Sequence, residues 1–151
     1  MSETIDLDLA EPVELKRHRI TADDYYRMAE TGILARELRV ELIEGEIIEM
    51  ASIGTRHYAA VNSLTRMLVL ATGTRAIVSI QNSVQLNRYN VPEPDVVVLK
   101  PRDDFYASQR CTADDIFLVI EVADSSIAYD TRFKARLYAA HGVAHYWVVD
   151  L

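Results

Sequence analysis

A single cysteine, Cys111, in 151 residues leaves no intrachain disulfide to form and no thiolate metal cage to build. A reducing, cytoplasmic setting is the expectation that follows. No apolar run approaches the roughly 20 residues needed to span a membrane. The opening stretch MSETIDLDLAEP has neither a cationic start nor an apolar core, so it does not read as a secretory signal. Internal repeats and low-complexity segments are missing, and so is any Gly-rich phosphate loop, which leaves nucleotide-triphosphate use unsupported, and no nucleotide cofactor is expected. The four histidines show no metal-ligand spacing, against a zinc site built on them. Positive charge is also short: 16 Lys and Arg against 23 Asp and Glu give a net charge of -7. A protein that coats nucleic acid through bulk positive charge needs the reverse balance. An enzyme acting on nucleic acid is not excluded, because a bound metal neutralises part of a carboxylate-lined cleft.

What remains is ordinary for a soluble globular chain, with 50% hydrophobic and 26% charged residues and a length suited to one domain. Residues 1–14 are polar, acidic and aperiodic, a loose tail before a domain over 15–151. The basic run Lys16, Arg17, His18 and Arg19 fits a solvated lead-in better than a phosphate contact. Thr21 is an N-cap, with Asp24 in the capping-box position and Gly32 as the stop of a short helix packed through Tyr25, Tyr26 and Met28. Alternation from Val40 to Met50 around Glu44-Gly45 predicts a β-hairpin. Tyr58, Val61, Leu64, Leu68 and Ala71 recur at helical spacing over Thr55–Ala71, ended by Gly73. Short β-branched runs follow at Ala76–Ile80, Ser83–Leu86, Asp95–Leu99 and Ile116–Ala123, with a polar segment over Arg102–Asp115. Asp130–His141 reads as a helix stopped by Gly142, with Phe133, Leu137 and Ala140 as its apolar face. His145–Asp150 is strand-like. This order predicts an α/β or α+β domain with a mixed central sheet. An apolar strand directly before Leu151 suggests a chain truncated at its C-terminus.

Two carboxylates sit in strand-forming sequence. Pro92 and Pro94 remove backbone donors on either side of Glu93, so the next strand starts no earlier than Asp95. A carboxylate there also fits a solvated strand end or a turn cap. Glu121 lies in Ile116–Ala123, where Phe117, Val119, Glu121 and Ala123 share one face and Ile116, Leu118, Ile120 and Val122 the other. Both faces are apolar, so an ionised Glu121 needs a metal or an internal cation. Lys134 falls one helical turn from Asp130 and Tyr138. On its own it fits a surface partner for Asp130; joined to the strand carboxylates it enters a site from the side. Two strand-borne carboxylates suit a hard divalent cation, and a nearby ammonium steadies developing negative charge. Metal-assisted phosphodiester hydrolysis is the reading these residues favour. Ser125 and Ser126 fit turn or helix-cap roles, since no histidine base is identifiable beside them.

The ordered run Ile43-Glu44-Gly45-Glu46, Pro92-Glu93-Pro94-Asp95, Ile120–Ser126, Tyr129-Asp130, Lys134, Leu137-Tyr138-Ala139 and Tyr146–Asp150 resembles the Uma2 family. That family is a branch of the PD-(D/E)XK restriction-endonuclease-like superfamily in which endonuclease activity is expected. The resemblance spans about Arg19 to Leu151. It implies a restriction-endonuclease-like mixed sheet flanked by helices, with an N-terminal helix and a β-hairpin. Asp95 becomes the aspartate of the PD motif and Glu121 the acidic residue of (D/E)XK. The lysine expected two residues after Glu121 is replaced by Ala123, and Lys134 is similar to the lysine this branch places on the following helix. Glu41 first, then His57, and also Glu46, are candidates to complete the site. The expected cofactor is Mg2+, with Mn2+ as substitute, held by Asp95, Glu121 and the backbone oxygen of Val122. DNA is the expected substrate, a homodimer is compatible, and no membrane is involved. The alternative is a non-catalytic module of the same fold that binds nucleic acid or a protein partner.

Overall fold

The computed structural model describes residues 14–151. Apart from Glu14, the loose tail expected over residues 1–14 lies outside the described residues. Helix α1 (Ala22–Glu30) begins at Thr21, whose hydroxyl oxygen accepts from the Asp24 backbone N–H at 3.2 Å. Strands β1 (Val40–Ile43) and β2 (Glu46–Glu49) form the expected hairpin. Its turn residues, Glu44 and Gly45, both have positive φ (52° and 82°), which matches the twist of a two-residue antiparallel connection. Helix α2 (Thr55–Thr72) stops at Gly73, where φ is 56°.

The main sheet has the order β3 (Ile77–Ile80), β4 (Val96–Leu99), β5 (Ile116–Ala123), β6 (Tyr146–Asp150). The first two pairings are antiparallel and β5–β6 is parallel, so the sheet is mixed, as the pattern implied. On one face Val96, Ile120 and Val122 pack with Val61 beneath α2. On the other, Val97, Leu99 and Val119 pack with Tyr138 of the following helix. A third cluster joins α1 to the hairpin through Tyr25, Val40, Leu42 and Val91. No helix among the described residues is long and apolar enough to cross a membrane.

Three local expectations fail for identifiable reasons. Ser83–Leu86 is not a strand. Val84 N–H donates to Pro92 O, Gln85 N–H to Cys111 O and Leu86 N–H to Asn90 O, and only an isolated bridge forms at Gln85. Pro92 and Pro94 across from it have no N–H to return, so no ladder can grow. In β5 the simple alternation breaks at the register shift opposite Val98/Leu99. Phe117 is 43% exposed there, while Ile116 turns to the Val119 face. The helix after β5 carries a π turn (Tyr129–Lys134) near its start, in which Ala135 N–H reaches Asp130 O, before it continues as α3 (Ala135–Ala140). Its buried face is Asp130, Lys134, Leu137 and Tyr138, whereas Phe133 and Ala140 are exposed.

The hairpin turn gives a test of local packing. A methyl added at Gly45 would come within 2.7 Å of Arg19 Cβ, whereas Gly32, also at positive φ (79°), has open space. Gly45→Ala should destabilise the protein by about 1–3 kcal/mol and by more than Gly32→Ala, read from urea midpoints. Equal losses would mean that Arg19 does not crowd the turn.

Candidate active site

Asp95 directly precedes β4, and Glu121 lies near the C-terminal end of neighbouring β5. Because β4 and β5 are antiparallel, with Val96 opposite Ile120, both carboxylates reach the same end of the sheet. They are tied together through the backbone. Val122 N–H donates to Asp95 Oδ2 at 2.8 Å, and Asp95 N–H donates to Glu121 Oε2 at 3.2 Å. In β5 the N–H of Val119 and the C=O of Ala123 bond toward β6. Backbone groups alternate sides along a strand, so the carbonyl of Val122 faces the β4 side, where Asp95 stands.

Lys134 enters from the π turn. Its Nζ is 2.9 Å from Glu121 Oε1 and 3.0 Å from Glu41 Oε2. The surface ion pair with Asp130 that sequence spacing allowed does not form; the carboxylate of Asp130 instead accepts from Ser126 Oγ, which gives Ser126 a structural role. Tyr138 OH also donates to Glu121 Oε1, at 3.3 Å. Glu41, from β1, is held on both oxygens beyond its lysine contact. Tyr129 OH donates to Oε1 at 3.0 Å and Glu93 N–H donates to Oε2 at 3.2 Å. His57, in the first turns of α2, places Nε2 3.0 Å from Asp95 Oδ1, while its buried Nδ1 has no hydrogen-bond partner among the described residues.

The structure thus gathers Asp95, Glu121, Lys134, Glu41, His57 and Val122 along one pocket of about 410 Å3. Glu46 is left out. It sits opposite Ile43 at the turn end of the hairpin, with its side chain 57% exposed and 3.5 Å from Arg17. Such a surface pair contributes little. Sequence reasoning did not identify Tyr129 as a partner of Glu41, nor Arg39, which lines the pocket 3.4 Å from Glu93. The available signal was the Glu93 between two prolines and the Tyr129-Asp130 pair.

Burial controls the electrostatics. It pushes the Glu121 carboxyl up to about 8, against the pull of Lys134, and Asp95 adds to the rise. Burial alone would push the Lys134 ammonium down, but Glu121 and then Glu41 outweigh it and hold that ammonium above the ordinary lysine range. Burial likewise raises Asp130 and Glu93.

Two carboxylates, from Glu41 and Glu121, flank the one lysine ammonium, and Asp95 stands beside Glu121 in the same cluster. Its donors near Asp95 are two carboxylates and a strand carbonyl, the all-oxygen set preferred by Mg2+ or Mn2+. The residues therefore fit a hard divalent cation chemically. Among the described residues no three His, Cys, Asp or Glu side chains stand ready-formed as a metal cage. The carboxylate oxygens are instead engaged by the protein donors named above.

One stability effect follows. Lys134→Ala strands Glu41 and Glu121 in a buried site, and removing one partner of such a network costs about 3–5 kcal/mol. The urea midpoint should fall accordingly, and adding Glu41→Gln and Glu121→Gln should recover much of it; no fall would contradict the buried pairing.

The chain as a whole resembles known proteins. The family model Uma2, described as "Putative restriction endonuclease", matches residues 22–151. A crystal structure described as "a putative nuclease belonging to DUF820 from Anabaena variabilis" has a TM-score of 0.66 and 18% sequence identity to this chain. The match covers 87% of this chain and 74% of that one, and at such identity it speaks to fold alone. No curated protein matches the sequence. With the match running from α1 through the last strand, this chain belongs to the Uma2 family.

Proposed function

We propose that this protein is a divalent-cation-dependent nuclease that hydrolyses phosphodiester bonds of DNA. The observation that carries the reading is the convergence of Asp95, Glu121 and Lys134 at one end of the sheet, with Lys134 Nζ 2.9 Å from Glu121 Oε1. The family description and the nuclease-like fold support it.

Asp95, Glu121 and the Val122 carbonyl would hold Mg2+, or Mn2+ in its place. When bound, the cation supplies Lewis-acid polarisation of the phosphate and lowers the pKa of an attacking water. The protein's own groups divide the remaining work. Val122 N–H and His57 fix the two oxygens of Asp95, so the carboxylate is oriented before substrate arrives. Glu41 holds the far side of the Lys134 ammonium, leaving its positive charge beside the strand carboxylates. There it can steady the negative charge that grows on the phosphate. Burial removes competing water and strengthens each of these interactions. Water adds across the P–O bond with no covalent protein intermediate, consistent with Ser126 being committed to Asp130.

Purified protein should cleave DNA with Mg2+ and lose cleavage with EDTA. Asp95→Asn and Glu121→Gln, which keep side-chain volume, should each lower the rate by at least a hundredfold while retaining a cooperative urea transition. Full activity in folded Glu121→Gln would refute the reading. Calorimetry with Mg2+ separates it from the non-catalytic module: binding that vanishes in Asp95→Asn supports the nuclease, and no binding favours the module.

A further inference from the structure

The pocket is hard for a duplex to use. Asp95, Glu121 and Lys134 are only 7%, 3% and 3% exposed, at the floor of a pocket of about 410 Å3. The strand β2, the segment 50–54 and the segment 124–129 contribute its walls. That volume is at the small end of ordinary ligand pockets, which run from roughly 300 to 1,000 Å3. Duplex DNA is a stiff rod with a persistence length near 150 base pairs. A stiff rod follows the walls of a recessed pocket less readily than an unpaired backbone, which bends freely.

The charge distribution points the same way. Arg39 and Lys134 are the only Arg or Lys side chains lining the pocket among the described residues. Both are already paired, Arg39 with Glu93 and Lys134 with Glu41 and Glu121. The net charge of -7 argues against a broad basic surface as the source of affinity. Another attraction is needed, and the pocket wall offers one. Tyr129 lines the pocket, and Phe133 stacks on it with ring centroids 5.3 Å apart and planes within 7°. Phe133 is 37% exposed and belongs to none of the three hydrophobic clusters, so its ring is not needed to fill the core. Tyr129 belongs to the pocket wall and Phe133, stacked on it, is part-exposed outside the lining, so the pair offers aromatic surface of the kind on which unpaired bases stack without sequence preference.

We propose that the pocket takes an unpaired strand of nucleic acid, with a base stacked on the Phe133–Tyr129 platform while its phosphate reaches the Asp95–Glu121–Lys134 floor. This deepens the nuclease reading and rests on it for the role of the floor; the platform is tested separately by binding. The probes are a fluorescein-labelled dT12 strand, the same strand annealed to dA12, and a labelled U12 strand, followed by anisotropy with Ca2+ present. The dT12 strand should bind at least tenfold more tightly than the duplex, and U12 reports whether the sugar matters. Phe133→Leu, which keeps apolar bulk but removes the π face, should weaken dT12 binding by roughly tenfold, and Phe133→Trp should restore it. Thermal melts of both variants check the fold. The plot of log affinity against log salt should have a slope no steeper than about -1.5, since few phosphates are neutralised. Duplex binding equal to that of dT12, no dT12 binding, or unchanged affinity in Phe133→Leu would each overturn the proposal. Equal cleavage of duplex and single strand would sink it and leave the nuclease reading standing. Phe133-dependent dT12 binding without cleavage in Mg2+ or Mn2+ would do the opposite.

Discussion

The ammonium of Lys134 lies buried between Glu41 and Glu121, and the site is organised around that contact. Each glutamate alone would face a heavy desolvation penalty in this part of the protein. Together they hold an ammonium that burial would otherwise discharge. The contact also joins elements distant in sequence: the hairpin through Glu41, the sheet through Glu121 and the π turn through Lys134. Tyr129 and Tyr138 complete the ring by donating to the remaining lone pairs. Satisfying those acceptors is what makes a buried ionic network tolerable.

Placement of these groups follows from features of the backbone. Pro92 and Pro94 delay the start of β4 until Val96, which leaves Asp95 just outside the ladder with its carboxylate free to receive Val122 N–H. The antiparallel register then sets Glu121 beside it. The π turn widens the chain where Asp130 and Lys134 turn inward, and such irregular turns recur at functional positions. Phe133, displaced outward in that same turn, is left stacked on Tyr129 at the pocket wall.

Much of this was legible in the sequence, and the failures are informative. The hairpin was visible because Gly45 interrupts a period-two pattern, and β5 because both its faces are apolar. Ser83–Leu86 has strand-like composition, but a strand needs a partner with donors, and prolines stand opposite. Reading Asp130–His141 with a uniform 3.6-residue period put Phe133 in the core, because composition does not announce a π turn. Asp95, Glu121 and Lys134 were conspicuous as charges in or beside apolar segments, and the structure gathers them with Glu41 and His57. Glu41 and Glu46 both stand out in the hairpin sequence, with Glu41 ranked first. Only the hairpin register distinguishes them, directing Glu41 toward Lys134 and leaving Glu46 at the exposed turn end. The Glu93–Arg39 pair at the pocket depends on long-range proximity that local patterning does not encode.

The Lys134 side chain can be observed by nitrogen-15 NMR of lysine-labelled protein, with Lys134→Arg used to assign the resonance. Its Nζ should remain a protected ammonium above the ordinary lysine range of about 10.4 and lose protection when Glu121 is changed to Gln. An Nζ that titrates at or below that range, with no response to Glu121→Gln, would contradict the buried pairing.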